Sequence, residues 1–255
     1  MSELSKTSPI LFLIFNRPDL TQRVFERIRQ VKPKKLFIAA DGPRPDILED
    51  EALCKKTRQV VDQIDWECDV HTLFRDTNLG CKQAVSSAID WFFDQVEAGI
   101  ILEDDCLPEP TFFRFCAELL DRYHDDERIM VISGDNFQED QKRSSNSYYF
   151  SRYNHVWGWA TWRRAWQYYS GDLQYWPELR ETSWLLDIHG DESAATYWCN
   201  IFDRAHAGKI DSWGYPWTFS CWAQNGLTVL PEVNLVSNIG FGDGATHTKG
   251  AGIKL

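Results

Sequence analysis

Two hydrophobic periods alternate along the first half of the chain. Short continuous apolar runs, such as residues 9–15, are typical of strands buried in a parallel sheet. Apolar residues at helical spacing, such as Val24, Phe25, Ile28 and Val31, predict amphipathic helices between these runs. The predicted strands are 9–15, 35–40, 70–74, 100–102 and 128–133, and the predicted helices are 21–31, 48–64, 82–96 and 112–124. Alternating strands and helices indicate an α/β fold with a mainly parallel sheet flanked by helices.

The second half of the chain is unusually rich in tryptophan. Ten of the twelve tryptophans lie between Trp157 and Trp222, and small residues separate those of the segment 157–162. This pattern predicts flat aromatic walls that suit sugar rings or bases, with a tryptophan-rich core as the alternative. We also expect an edge strand at 148–153, a helix running to Asn225, a late strand at 227–230, and a glycine-rich tail over 234–249 that folds back over another part of the chain.

Polar side chains follow each of the first four predicted strands. They are Asn16 and Arg17, then Asp41, then Arg75 and Asn78, and finally Glu103, Asp104 and Asp105. The carboxyl ends of parallel strands share one edge of the sheet, where open α/β sheets bind ligands. The sequence therefore predicts one composite site built from these strand ends.

The segment I-I-L-E-D-D-C-L-P places three adjacent carboxylates directly after a buried strand. Adjacent acids repel one another, and hard divalent cations take carboxylate oxygens while sharing the rest of their shell with phosphate oxygens. A Mn²⁺ or Mg²⁺ site holding a nucleoside diphosphate is one interpretation, and a solvated acidic loop is the other. No G-x-G-x-x-G follows the first strand and no G-x-x-x-x-G-K-[ST] is present, so phosphate would have to be held by a metal and side-chain cations.

Charge and composition restrict the partners. The chain of 255 residues has a formal net charge of −11, which argues against nucleic acid and anionic membranes as partners because both bind basic surfaces. No apolar run reaches the length of a membrane span, and the first residues do not form a signal peptide. The seven cysteines show no metal-ligand spacing, which fits reduced thiols in a cytoplasmic protein.

Several motifs together resemble a known enzyme family. F-N-R-P follows the first strand, I-I-L-E-D-D-C-L-P contains the acids, and F-G-D-G-A-T-H-T lies in the tail. With W-G-W-A-T-W and D-S-W-G-Y-P-W, they resemble GT-A-fold nucleotide-diphospho-sugar transferases, in particular a bacterial haemolytic-protein-like group and, more distantly, N-acetylglucosaminyltransferase I. The resemblance implies one domain over 1–255, with a nucleotide-sugar-binding half at 1–135 and an acceptor and catalytic half at 136–255.

The resemblance also implies roles for individual residues. Asp105 and His247 would bind Mn²⁺ or Mg²⁺, and Asp211 would be the catalytic base. E-D-D in place of D-x-D leaves open which of Asp104 and Asp105 contacts the metal. The residues implied to bind the nucleotide sugar are Asn16, Arg17, Asp41 (on the uracil N–H), Arg75, Asn78, Lys82, Glu103, Asp104 and Gly158.

The expected reaction is the metal-dependent transfer of a sugar, with inversion, from a nucleotide-diphosphate donor to an acceptor hydroxyl. A UDP-sugar is the favoured donor, with UDP-GlcNAc as one candidate, and the acceptor is a glycan, a lipid-linked molecule or a protein. Asp191, Glu192 and Asp243 are weaker candidates for the base. The alternatives are a sugar-1-phosphate nucleotidyltransferase, a phosphohydrolase and a non-catalytic carbohydrate-binding module.

Overall fold

The computed structural model describes residues 7–138 and 145–241, which form ten strands and nine α-helices. The strands are β1 (Ile10–Ile14), β2 (Lys35–Ala40), β3 (Asp69–Phe74), β4 (Ala98–Glu103), β5 (Cys106–Pro108), β6 (Ile129–Ser133), β7 (Tyr148–Ser151), β8 (Trp159–Trp162), β9 (Leu227–Pro231) and β10 (Val236–Asn238). The helices are α1 (Pro18–Val31), α2 (Asp50–Gln59), α3 (Cys81–Phe93), α4 (Pro110–Arg122), α5 (Arg163–Trp166), α6 (Trp176–Arg180), α7 (Trp184–His189), α8 (Glu192–His206) and α9 (Gly214–Ala223).

Eight of the strands form one sheet in the order β3-β2-β1-β4-β8-β6-β9-β7. Strands β1 to β4 pair in parallel, as do β6 and β9, whereas β8 runs antiparallel between β4 and β6. Strand β7 lies at the edge, antiparallel to β9, where the sequence predicts an edge strand. The predicted α/β class with a large, mainly parallel sheet flanked by helices is confirmed.

Both faces of the sheet are covered, which explains why its strands are continuously apolar. In β1, Phe12 and Ile14 point into the core shared with helices α1 and α4. Leu11 and Leu13 point into the opposite core, which is shared with α3 and the C-terminal helices. Successive side chains of a strand face opposite sides of the sheet, so every position of β1 is buried.

The boundaries of the predicted elements shift by only a few residues. Helix α1 begins at Pro18, earlier than predicted, because a proline with fixed φ is well suited to the first turn of a helix. The predicted helix 48–64 divides into α2 and a 3₁₀ turn at Val60–Gln63. In the described part of the chain, no helix is both long enough and apolar enough to cross a membrane.

Of the two interpretations of the tryptophans at 157–162, the core is correct for two of the three rings. Trp159 and Trp162 lie in β8 and are at most 1% exposed, because this strand is inserted in the middle of the sheet. Trp159 stacks on Trp213 with a distance of 5.4 Å between ring centroids. The other fully or nearly buried tryptophans of this region are Trp166, Trp176, Trp217 and Trp222. The tryptophan-rich core is therefore the better interpretation of most of these residues.

A second, two-stranded sheet joins the acidic segment to the tail. Strand β10 pairs antiparallel with β5, which follows the acids directly. Beyond β10, the Ile239 N–H donates to the Asp105 carbonyl oxygen at 2.8 Å. The described part of the tail thus folds back over the acidic segment, as expected. His247 and Asp243 lie outside the described residues.

A substitution at Gly158, immediately before β8, would test how tightly this region is packed. Its φ is +79°, and an added Cβ would lie 2.8 Å from Val236 Cγ2 and 3.2 Å from Leu102 Cδ2. We expect Gly158→Ala to lower the free energy of unfolding by about 2–4 kcal/mol, through left-handed backbone strain and overpacking. Urea unfolding measures this change. The control is Gly171→Ala, where the nearest atom lies at an ordinary 3.5 Å; equal stability of both variants would contradict the prediction.

Candidate functional site

A cleft of about 1010 Å³ opens at the carboxyl ends of the parallel strands. Its lining includes residues at or just beyond the ends of β1, β2, β3, β4 and β6, among them Arg17, Asp41, Arg75, Glu103, Asp104, Asp105 and Asp135. Strands β2 and β3 lie on one side of β1 in the sheet, and β4, which comes next in the chain, lies on the other side of β1. Such a switch in strand order opens a crevice at the sheet edge, which is the usual ligand site of open α/β sheets.

Arg17 joins the ends of β1 and β4. Its Nε donates to Asp104 Oδ2 at 3.3 Å and its Nη1 donates to Asp105 Oδ2 at 3.0 Å, with a further contact from Nη2 to Asp104 Oδ1. The Asp104 side chain is 3% exposed, whereas those of Arg17 and Asp105 are 21% and 16% exposed. The predicted nucleotide-binding arginine and the predicted metal-binding acids therefore meet in the same part of the cleft.

The carboxyl groups of the acidic segment carry more negative charge than Arg17 balances. Burial, together with repulsion from Asp105 and Asp104, raises the pKa of Glu103 to about 8. Burial also raises the pKa of Asp104 to about 6, although the attraction of Arg17 acts in the opposite direction. These shifts mean that ionising all three carboxyl groups is unfavourable, and an added cation would reduce that cost.

The donor set fits a hard divalent cation that is shared with a ligand. Across residues 7–138 and 145–241, no group of three or more His, Cys, Asp or Glu side chains is arranged to hold a metal ion. Magnesium-type sites, however, commonly use one or two carboxylates and complete their shell with water and substrate phosphates. Asp105 and Asp104 could provide such carboxylates beside the cleft. Metal binding by Asp105 and by His247 remains a prediction.

Asp41 fastens the end of β2 to the loop before α3. Its carboxylate accepts hydrogen bonds from the Leu79 N–H at 3.1 Å, from Asn78 Nδ2 at 2.9 Å and from the Gly42 N–H at 2.9 Å. Burial raises the pKa of Asp41. Both Asp41 and Asn78 line the cleft, as predicted for nucleotide-binding residues, but part of their hydrogen-bonding capacity holds the two loops together.

The structure does not bring every predicted binding residue into the cleft lining. Asn16, Lys82 and Gly158 are absent from it. The Asn16 amide donates to Asp50 Oδ1 at 2.7 Å, and Gly158 is packed against Val236. Arg75 does line the cleft, and its Nη2 donates to Ser87 Oγ at 2.8 Å.

Asp211 lines the cleft and caps a helix distant in sequence. Its Oδ2 and Oδ1 accept the N–H groups of Cys81 and Lys82, both at 2.9 Å, at the N-terminus of α3. An exposed carboxylate held in this way has a fixed orientation and retains lone pairs that face solvent. Capping and catalysis are therefore compatible for this residue. The weaker base candidates Asp191 and Glu192 do not line the cleft, and Asp191 accepts the Ala194 N–H within its own helix start.

Among the cleft residues that the sequence did not predict are Asp135, Asn154 and His155. Asp135 could have been found, because G-D-N follows β6 just as polar residues follow the other strands. Strand β6 is parallel to β4, since each is antiparallel to β8. Asn154 and His155 precede the tryptophan motif in a loop, and no periodic signal marks them. Of the tryptophans, Trp157, Trp198 and Trp213 line the cleft.

Comparisons with known proteins give only partial overlaps. No protein-family model matches the chain. No curated protein matches it either. Among solved structures, a mannosyltransferase from Pyrobaculum calidifontis in complex with GDP-Man and Mn²⁺ is similar at 11% identity and a TM-score of 0.43, over 63% of this chain and 46% of that one.

Two further solved structures are nucleotide-handling enzymes by name. A cytidylyltransferase from Leptospira borgpetersenii is similar at 11% identity and a TM-score of 0.38, over 74% of this chain and 71% of that one. An apo UDP-glucose pyrophosphorylase is similar at 9% identity and a TM-score of 0.39, over 87% and 90% of the two chains. With overlaps this weak, the activity of the present chain has to be judged from its own cleft.

His155 gives the cleft wall a dependence on pH. Burial lowers its pKa to about 4, so the folded protein keeps this imidazole neutral while the unfolded chain binds a proton below its ordinary pKa of 6.5. Stability is therefore lost as the pH falls from 6.5 towards 4. When the pH is lowered from 7 to 5, the unfolding free energy of the wild type should fall. We expect the fall in His155→Gln to be smaller by about 1–2 kcal/mol. Urea unfolding at both pH values measures this, and the exposed His124→Gln serves as control; equal losses in all three proteins would contradict it.

Proposed function

We propose that this protein is a glycosyltransferase that takes a sugar from a nucleoside-diphosphate donor, with a UDP-sugar as the preferred donor class. The observation that supports this most directly is the meeting of Arg17 with Asp104 and Asp105 in a large cleft at the switch point of a parallel sheet. Such a place can bind a diphosphate through a cation held by the acids and through the arginine itself.

The order of strand ends suggests how the donor would lie. Arg75 and Asp41 follow β3 and β2, Arg17 and the acids follow β1 and β4, and Asp135 follows β6. Neighbouring strands are about 4.8 Å apart, so β2 and β4 are separated by roughly 10 Å. We place the nucleoside near β2 and β3, the diphosphate near β1 and β4, and the sugar towards β6.

Asp105, with Asp104 beside it, would hold a divalent cation. When bound, that cation supplies Lewis-acid stabilisation of the negative charge that develops on the leaving diphosphate. Arg17 adds a fixed positive charge at the same place, and its planar guanidinium suits phosphate oxygens.

Asp211 would act as the general base. It accepts the proton of the acceptor hydroxyl, whose oxygen forms a bond to the anomeric carbon. The bond between that carbon and the diphosphate oxygen breaks, and the electron pair leaves with the diphosphate. The hydrogen bonds from Cys81 and Lys82 orient the carboxylate. The exposed ring of Tyr197, together with Trp198 and Tyr215, gives this end of the cleft aromatic surfaces for the acceptor.

The first test of this function removes one charge at Asp105. We expect saturating UDP with Mn²⁺ to raise the melting temperature of the wild type by roughly 5–10 °C, because the ligand binds only the folded state. Asp105→Asn should lose the Mn²⁺-dependent part of that shift and at least about 100-fold of the rate of UDP release from a UDP-sugar. The matched control is Asp121→Asn, an exposed aspartate of α4 outside the cleft, which should behave as wild type.

The same assay separates the alternatives. Glycan binding that persists in EDTA, without turnover of any nucleotide sugar, would identify a carbohydrate-binding module. Pyrophosphate-dependent conversion of the UDP-sugar to UTP and sugar 1-phosphate would identify a nucleotidyltransferase. Either result would contradict the proposed transfer reaction.

Asp211→Asn tests the base. The variant keeps one oxygen for the α3 cap, so we expect a loss of about 1 kcal/mol or less in unfolding free energy and unchanged affinity for UDP. Transfer to the acceptor should fall by about 10²–10⁴-fold because an amide cannot take the hydroxyl proton. Thermal unfolding, UDP titration and initial rates measure the three quantities. Full transfer activity in a folded Asp211→Asn would show that this residue is a cap only.

A further inference from the structure

Two residues of the cleft lining each have a buried side-chain polar atom without a hydrogen-bond partner among the described residues. The atoms are Oδ1 of Asp135, whose residue is 0% exposed, and Nδ2 of Asn154. Leaving a buried donor or acceptor unsatisfied costs about 1–3 kcal/mol. Unsatisfied buried groups are rare in native proteins, and a ligand that supplied the missing partner would remove this cost.

Both side chains are fixed by their other polar atom. Asp135 Oδ2 accepts the Trp157 N–H at 3.0 Å. Asn154 Oδ1 accepts the Thr218 hydroxyl at 2.9 Å. Each residue therefore combines an anchored atom with an unpartnered one, and the two residues hold the two ends of the loop 154–157.

The surroundings of these atoms suit an uncharged ring with hydroxyl groups. Phe137 contacts His155 and Trp157 edge-to-face, with centroid distances of 4.7 and 5.1 Å, and all three rings line the cleft. Aromatic faces pack well against the C–H groups of sugars. No arginine or lysine is within hydrogen-bonding distance of Asp135 in the described part of the chain.

The position along the sheet edge matches the sugar end of the donor. Asp135 follows β6, which is two strands from β4 and therefore roughly 10 Å from the acids at its end. That distance is comparable to the width of a hexose together with its bond to the diphosphate.

We propose that Asp135 and Asn154 form the donor-sugar subsite, in which Oδ1 of Asp135 and Nδ2 of Asn154 hydrogen-bond to hydroxyl groups of the transferred sugar. This inference rests on the proposed function and adds the residues that recognise the sugar. The two residues bind and position the donor, and they take no part in the chemical step.

The test compares two ligands that differ only in the sugar. Affinities for UDP and for UDP-GlcNAc, UDP-glucose and UDP-galactose are measured by calorimetry with Mn²⁺, and the tightest of the three sugars is used thereafter. Asn154→Asp keeps the oxygen for Thr218 but replaces the Nδ2 donor, and Asp135→Asn keeps an oxygen for Trp157 but replaces Oδ1. In each variant we expect UDP affinity within about twofold of wild type and UDP-sugar affinity lower by about tenfold or more.

The control is Asp90→Asn. Asp90 accepts the indole N–H of Trp166 at 2.7 Å and does not line the cleft. The ratio of UDP-sugar affinity to UDP affinity in Asp90→Asn should therefore equal that of the wild type. A third arm needs no variant: monodeoxy analogues of the UDP-sugar are titrated into the wild type. The wild type should bind at least one analogue about tenfold more weakly than the parent UDP-sugar. For that analogue, the affinity of the wild type should equal that of Asn154→Asp or of Asp135→Asn, because the hydrogen bond is already lost.

The outcomes separate this inference from the function on which it rests. A wild type that binds UDP-sugars, with folded variants that keep the wild-type affinity ratio, overturns the subsite and leaves the transferase intact. The subsite is also overturned if the wild-type protein binds every monodeoxy analogue as tightly as it binds the parent UDP-sugar. A wild type that binds neither UDP nor any UDP-sugar overturns the proposed function and the subsite together.

Discussion

Two of the three consecutive carboxyl groups at a buried strand end are paired with a guanidinium from the neighbouring strand. Arg17, at the end of β1, contacts both Asp104 and Asp105 at the end of β4. Burying acids without such a partner would cost several kcal/mol each, so the ion pair and the pairing of β1 with β4 support one another. The pair also places positive and negative groups at the switch point of the sheet, where a diphosphate and its cation would bind.

Several cleft residues have both a structural and a proposed functional role. Asp41 and Asn78 lie in the region proposed for the nucleoside and also tie β2 to the loop before α3. Asp211 brings the loop before α9 against the start of α3 and is the candidate base. Because these side chains are held by hydrogen bonds before any ligand arrives, little ordering would be needed on binding. Their substitution is therefore expected to change stability and ligand affinity together, which is why measurements of both are needed.

The tryptophans illustrate how composition alone can mislead. A cluster of large rings with interspersed small residues fits either a binding wall or a core. The insertion of β8 between β4 and β6 decides the question for Trp159 and Trp162, because a central strand is covered on both faces. Trp157 lies just outside that strand and lines the cleft. A difference of two residues along the chain thus separates a core ring from a cleft ring.

The sequence by itself determined the α/β class, the first four strands and the meeting of their polar ends, because period, apolar runs and the geometry of parallel strands are local or generic properties. It also pointed to Arg17, Asp41, Arg75 and the acids as neighbours. Only the tertiary structure decided that Asn16 pairs with Asp50, that Asp211 caps α3, and that Asp135 and Asn154 line the cleft, each with one buried polar atom unpartnered. Each of these depends on contacts between segments far apart in the chain, and hydrophobic patterning carries no information about which polar atom finds which partner.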